Sequence, residues 1–221
     1  MATPILIIGA GGHGRPVADV VRSEGRYAIV GLVDSVKAKG SVCFGHEVLG
    51  PERELPAICD ATGVRQGIVA IGDNWQRRAM AERVRQAVDG FVFVTVVHPA
   101  AVVAVDVAMG PGTVVMPGVV LVSGCRLGDG CIVNTGASLD HDGTMADYAS
   151  LGPGATAGGN VRVGVCSAIG LGAKLIQRVC VGDHTVVGAG ALVLRDVPGG
   201  VVAYGTPCRV VRSRQPDEPY L

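Results

Sequence analysis

His141 stands between two carboxylates, Asp140 and Asp142, and eighteen residues further on the chain carries Gly159, which has no side chain. An imidazole takes and returns a proton near neutral pH, and a flanking carboxylate fixes its tautomer and supports the imidazolium. A peptide N–H with nothing beside it can hold a developing oxyanion. Those are the parts of an acyl-transfer site. They form one only if the fold brings residues eighteen apart together; otherwise His141 is a solvated turn residue, a place where histidine is freely tolerated.

The repeat of the second half supplies that fold. From Met109 every sixth residue is aliphatic: Val115, Leu121, Leu127, Val133, Leu139, and so on without a slip to Val193. Four residues after each comes a small side chain or a Val, such as Thr113, Cys125, Cys131, Ala137 and Ala149. A hexapeptide period predicts a parallel β-helix. Glycine adds a period of eighteen, in one series Gly118, Gly136, Gly154, Gly172, Gly190 and a second Gly110, Gly128, Gly164, Gly182, broken only by Ala146. One coil then has three strands and three corners, in a triangular prism of about five coils. Two corners carry glycine columns, as tight turns with positive φ would demand. The third column reads Ser123, His141, Gly159, Gln177, Arg195. Strands stack about 4.8 Å apart, so His141, two places after the inward Leu139, should project outward directly over Gly159.

The first half reads differently. Ile5–Ile8, Tyr27–Val33, Gly67–Ile71 and Phe91–Val97 are expected as strands, with helices over Val17–Arg22 and Trp75–Val88. This alternation implies a small Rossmann-type parallel sheet. The predicted division is 1–97 for this α/β part, 98–198 for the solenoid and 199–221 for a polar tail. Gly9, Gly11 and Gly14 satisfy G-x-G-x-x-G, and Asp34 follows where a ribose-binding acid would. That pattern alone suggests NAD, but about 97 residues are too few for both halves of a dinucleotide fold.

Composition narrows the function. The net charge is zero and 17% of the 221 residues are charged, which leaves no electrostatic footprint for nucleic acid or an anionic membrane. The seven cysteines lack C-x-x-C spacing, and two occupy inward positions, so free thiols in a reducing cytoplasm are expected. Neither a signal peptide nor a membrane span is recognisable. The paired histidines of a γ-carbonic-anhydrase zinc site are missing, so no metal is expected.

The stretch Asn134-Thr135-Gly136-Ala137-Ser138-Leu139-Asp140-His141-Asp142, with Gly158-Gly159-Asn160-Val161, resembles the left-handed β-helix acyltransferases. Gly9-Ala10-Gly11-Gly12-His13-Gly14, His98-Pro99 and Gly205-Thr206-Pro207 narrow the resemblance to the sugar-nucleotide N-acetyltransferases of the bacillosamine and perosamine pathways, with their sialic-acid-pathway O-acetyltransferase relatives. The resemblance spans essentially the whole chain. It implies an acetyl-CoA-dependent transfer to the 4-amino group of a nucleotide-linked 4-amino-4,6-dideoxysugar, for surface glycan synthesis. It makes His141 the base, Asp142 its partner and the Gly159 N–H the oxyanion donor.

It also implies that Gly11, Gly12, His13, Gly14, Asp34 and the Gly72-Asp73-Asn74 turn grip the nucleotide sugar. Leu171, Gly172 and Ala189 would meet the pantetheine, with Gly205 and Arg209 nearer the adenine and phosphates. Many relatives carry a second histidine near the thioester where this chain has Ser150, whose hydroxyl would stand in as a donor or leave that imidazole unreplaced. A trimer with interfacial sites is implied as well. The alternatives are an O-acetyltransferase, separable only by its acceptor, and a non-catalytic nucleotide-sugar scaffold, which would have no need of the Asp-His-Asp turn. His98 is read as a cleft residue or boundary cap, His46 as a loop residue, His184 as a solenoid turn, and Trp75 as packing on the sheet.

Overall fold

The computed structural model describes residues 2–220. Its first part contains β1 (Thr3–Ile8), α1 (Gly14–Glu24), β2 (Tyr27–Val33), β3 (Val42–Cys43), β4 (His46–Gly50), α2 (Leu55–Thr62), β5 (Gln66–Val69), α3 (Asn74–Ala87) and β6 (Val92–Phe93). The sheet order is β3-β4-β2-β1-β5-β6, parallel except for the β3–β4 hairpin. Four consecutive buried residues, Ile5 to Ile8, make β1 the central strand, covered on both faces. The order reverses beside β1, which opens a crevice at the carboxyl ends of β1 and β5.

The solenoid has three faces in one register. The first sheet stacks Val96–Val97, Val114–Val115, Ile132–Val133, Ser150–Leu151, Ala168–Ile169 and Val186–Val187. The second runs from Val102–Val103 to Leu192–Val193, and the third from Ala108–Met109 to Cys180–Val181. Within the repeat, pairing joins each residue to the one eighteen further on, as Val120 to Ser138 and Arg126 to Thr144. The inward residues form one buried column, with Val133, Leu139 and Leu151 each at 0% exposure. Cys125 and Cys131 are inward and buried, and all seven cysteines are free.

Several expectations are corrected. Phe91–Val97 is not one strand: Val92–Phe93 pairs with β5, whereas Val96–Val97 pairs with Val114–Val115 as the first solenoid rung. The sheet does not stop near residue 198, because Val201–Tyr204 pairs in parallel with Val186–Val187 and Arg209–Ser213 returns antiparallel. His46 belongs to β4 rather than to a loop. The short helix α2 and the β3–β4 hairpin carry little periodicity and went unanticipated.

The glycine columns also divide differently. Gly118, Gly136, Gly154, Gly172 and Gly190 do hold positive φ. Gly110, Gly128, Gly164 and Gly182 do not; they are small because the next coil lies against them, and a Cβ on Gly110 would come within 2.6 Å of the Gly128 carbonyl carbon. The His141 corner turns left-handed too, but through Asp142, Asn160 and Arg178 after Gly124.

The α/β part is seated on the first sheet and on the corner joining the third sheet to the first. Apolar residues from both parts pack into shared clusters, Val17, Val21 and Val94 with Val96 and Val114 in one, Leu6 and Val84 with Tyr148 and Cys166 in the other. Arg77 of α3 is the polar rivet. It is 1% exposed and uses all five N–H donors: Nε to Gly130 O (2.8 Å), Nη1 to Ile71 O and Gly72 O (3.0 Å each), and Nη2 to Asn74 Oδ1 (2.7 Å) and Tyr148 O (2.9 Å). No helix among the described residues is long and apolar enough to cross a membrane.

Candidate active site

His141 lies on the corner between the second and third sheets, exposed to solvent. Asp142 sits in the left-handed region at φ 57°, which brings its carboxylate beside the ring. Its Oδ2 is 2.9 Å from His141 Nδ1. A carboxylate only accepts, so Nδ1 carries the proton and the Nε2 lone pair is free to act as base. Asp140 does not touch the ring; its Oδ1 accepts the His141 backbone N–H at 2.7 Å and so caps the turn. The hydrogen bond to Asp142, reinforced by the charges of Asp140 and Asp142, raises the imidazole pKa above its ordinary value.

The ring lies over Gly159, where any Cβ would overlap the imidazole at Nε2. The Gly159 N–H makes no hydrogen bond to any described residue. The expected stacking of the imidazole over an open amide is therefore present.

The crevice at the ends of β1 and β5 holds ≈ 600 Å³ and is lined by Gly9, Gly11, Gly12, His13, Asp34, Gly72 and Trp75, among others. Asp34 Oδ2 accepts from Ala10 N at 2.6 Å, and Oδ1 from Val36 N and Lys37 N at 2.8 and 2.9 Å. Burial pushes its pKa up, but the backbone donors of Ala10, Lys37 and Val36 outweigh this and leave it below the ordinary value. Gly14 stands back from the crevice, opening α1 so close to β1 that a Cβ would come within 2.6 Å of Gly9 O. Asp73 caps α3 by accepting Gln76 N at 2.9 Å. Asn74 faces the solenoid, fully buried, with Nδ2 on Ser150 Oγ and Ser167 O at 3.0 Å each.

A second groove of ≈ 590 Å³ runs between this part and the first solenoid sheet. It shares Gly12, His13 and Gly72 with the crevice and continues past Asn134, Ser150, Leu171 and Ala189. His13 is neutral here: burial, aided by the Arg77 charge, lowers its pKa to about 4. Gly172, at φ 64°, turns the corner beside Leu171, while Gly205, in the turn after Val201–Tyr204, and the exposed Arg209, which opens the last strand, lie outside the groove lining. Of the polar groove residues, Asn134 and Tyr220 were given no role by sequence reasoning. Asn134 had a signal, a polar amide in a column otherwise filled by His98, Met116, Gly152, Gly170 and Gly188. Tyr220 had none.

The remaining histidines are structural. His98 Nδ1 accepts Ala100 N at 3.0 Å, a boundary cap, and His184 is a left-handed turn residue. Trp75 packs edge-on against His184, with ring centroids 5.9 Å apart. Among the described residues no three His, Cys, Asp or Glu side chains are grouped to hold a metal.

A model of the PglD N-terminal domain family matches residues 4–84. A UDP-N-acetylbacillosamine N-acetyltransferase of Bacillus subtilis (strain 168) is 36% identical over 113 residues, and the match spans half of this chain and half of that protein. The GDP-perosamine N-acetyltransferase of Caulobacter crescentus, solved with CoA and GDP-perosamine, superposes with a TM-score of 0.88 at 36% identity, covering 96% of this chain and 98% of that one. The acetyltransferase domain of PglB from Neisseria gonorrhoeae FA1090, solved with acetyl coenzyme A, gives 0.87 at 36% identity, covering 96% and 100%. Coverage of both architectures at this identity, with an imidazole, its carboxylate and an open amide stacked at one corner, shows that the chain belongs to the left-handed β-helix sugar-nucleotide N-acetyltransferases, enzymes that use acetyl-CoA.

Proposed function

We propose that this protein acetylates the 4-amino group of a nucleotide-linked 4-amino-4,6-dideoxysugar from acetyl-CoA, with GDP-perosamine the favoured acceptor and a UDP-sugar the runner-up. The stacking of His141 over the Gly159 N–H carries the reading. The amine nitrogen attacks the thioester carbon, and its proton passes to His141 Nε2. The oxygen, now negative, is held by the Gly159 N–H. Collapse expels the CoA thiolate, which takes the proton back from the imidazolium.

In this division of labour residues 1–97 bind the nucleotide sugar, through Gly11, Gly12, His13, Asp34 and the Gly72 turn. Residues 98–198 carry the transfer site. Ser150, Leu171, Gly172 and Ala189 meet the acetylated arm, and the 199–221 tail with Gly205 and Arg209 serves the nucleotide end of CoA. The α/β part covers the first sheet, and His141 stands on the corner opposite that sheet. A nucleotide sugar held in the crevice and groove of one copy therefore reaches the imidazole of a neighbour. This supports a cyclic trimer with three interfacial sites, working in the cytoplasm in surface-glycan synthesis.

Thiol release from acetyl-CoA, measured over a panel of GDP-, UDP- and dTDP-4-aminosugars, tests the assignment. Turnover with one nucleotide class and an amide in the product is expected. An ester product would make the protein an O-acetyltransferase, and thiol release with none of the acceptors would end the enzymatic reading.

The pH profile tests the base. Asp142 favours the imidazolium, so the catalytic neutral form is lost as pH falls through a raised pKa. Asp142→Asn removes that support, so the acid limb of kcat/KM should move to lower pH while the plateau drops about tenfold. An acid limb that stays in place would separate Asp142 from the base.

A further inference from the structure

The nucleotide crevice has two chemically different ends. At the glycine turn the Gly11 and Gly12 N–H groups make no hydrogen bond to any described residue, and a Cβ on either would meet nothing within 4 Å. Open N–H groups at the entry to α1 suit the oxygens of a diphosphate. Two hydrogen bonds lead away from that turn: Ala10 N donates to Asp34 Oδ2, and the hydroxyl of the next residue, Ser35, donates to Glu52 Oε2. Beyond lies a further cavity of ≈ 540 Å³, which shares Ser35, Glu52, Met80 and Arg83 with the crevice but touches none of the glycine turn. A nucleotide with its phosphates on the glycine turn and its ribose by Asp34 therefore directs its base toward Glu52.

The side chains at this end suit a flat ring with a polar edge. Val36, 90% exposed, offers an aliphatic face from the loop after β2, and Ala79 and Met80 offer another from α3. Asp34 fixes that loop through the Val36 and Lys37 N–H groups. Glu52 is partly buried and has no described partner other than Ser35, so both its oxygens keep lone pairs. Arg83 follows Gln76, Ala79 and Met80 on the crevice stripe of α3, and the only described polar contact of its guanidinium is the Met80 sulfur at 3.8 Å. An unpaired acceptor pair and an unpaired fork of donors thus border one cavity. Guanine carries two donors side by side, N1–H and the 2-amino group, and two acceptors on the next edge, O6 and N7. Uracil and thymine carry one N–H between two carbonyl oxygens, so a carboxylate set against them gains one bond and meets carbonyl lone pairs.

We propose that Glu52 and Arg83 select guanine as the base of the nucleotide sugar: the carboxylate accepts from N1–H and the 2-amino group, and the guanidinium donates to O6 and N7. The inference rests on the nucleotide-sugar reading of the crevice and narrows the acceptor to GDP-linked sugars.

Calorimetric titration of the full chain with GDP, IDP and UDP tests this without acetyl-CoA or an aminosugar. IDP differs from GDP only in lacking the 2-amino group. Wild type should bind GDP about ten- to a hundredfold more tightly than UDP, and about tenfold more tightly than IDP. Glu52→Gln keeps the size of the side chain but sets an amide N–H against the guanine donors. It should lose the preference for GDP over IDP, while UDP, whose N3–H and O4 match an amide, binds no more weakly than to wild type. Arg83→Ala should weaken GDP and IDP by the same factor, about tenfold, and leave their ratio intact. UDP bound as tightly as GDP by wild type, or a GDP-to-IDP ratio untouched by Glu52→Gln, would overturn the proposal and leave the nucleotide-sugar reading standing. Equal loss of all three nucleotides in Glu52→Gln would overturn it too, as general damage to the crevice. Binding of none of them by wild type would remove the nucleotide-sugar reading and the proposal together. Selective GDP binding without turnover of any aminosugar would end only the acetyltransferase reading.

Discussion

His141→Asn should lower kcat about a hundredfold while leaving KM for the nucleotide sugar nearly unchanged. Positioned acid–base groups contribute about 10²–10⁴-fold. The lower end applies because an amine nucleophile retains some free base near neutral pH, where a hydroxyl does not. The Asn side chain keeps polarity and approximate size but cannot take the proton. The Gly159 N–H and the binding surfaces remain, so residual turnover is expected rather than none. Unchanged kcat/KM across the pH range would remove His141 from the mechanism. The opposed placement of crevice and imidazole adds a sharper result. Mixed assemblies of His141→Asn with Asp34→Ala should show more activity than either parent alone, since some interfaces then join an intact crevice to an intact imidazole. No recovery on mixing would place the complete site within one chain.

Arg77→Ala should destabilise the protein by about 3–5 kcal/mol, the range for breaking a buried, hydrogen-bonded charge network. Five acceptors lose their donor together: three carbonyls around α3 and its turn, namely Ile71 O, Gly72 O and Asn74 Oδ1, and two on the solenoid, Gly130 O and Tyr148 O. Each buried acceptor left unmade adds its own desolvation cost. Arg77→Lys should recover only part, because an ammonium has three donors and no planar fork. Urea unfolding followed by tryptophan fluorescence checks this, as Trp75 sits on His184 across the same junction. A loss under 1 kcal/mol would mean that the apolar clusters alone fix the two parts.

The solenoid was legible because its geometry is a strict function of residue number. An inward aliphatic every six residues and a coil of eighteen locate His141 over Gly159 without any coordinates. Residue number does not carry what comes from elsewhere in the chain. Asn74 reads as a turn residue at the end of the glycine-rich crevice, yet its amide faces Ser150, seventy-six residues away. Arg77 reads as one more exposed charge on a helix rich in arginine, and only the packing of α3 on the solenoid corner buries it. The second glycine column looks the same in sequence as the first. Distinguishing left-handed turns from close stacking requires knowing which atoms of the next coil lie opposite.

The uniform pairing of each rung with the residue eighteen further on has a genetic consequence. The second half of the chain behaves like a reading frame with a codon of eighteen. Loss or gain of one residue within a rung would turn every later side chain inside out. A change of six would preserve the aliphatic column but advance each following corner by one, and Gly159 would no longer lie beneath His141. Beyond Arg178 the imidazole, its carboxylate and the amide stay in place whatever the change, but only a whole coil keeps the later corners in register, so variation in solenoid length among such enzymes should come in steps of eighteen.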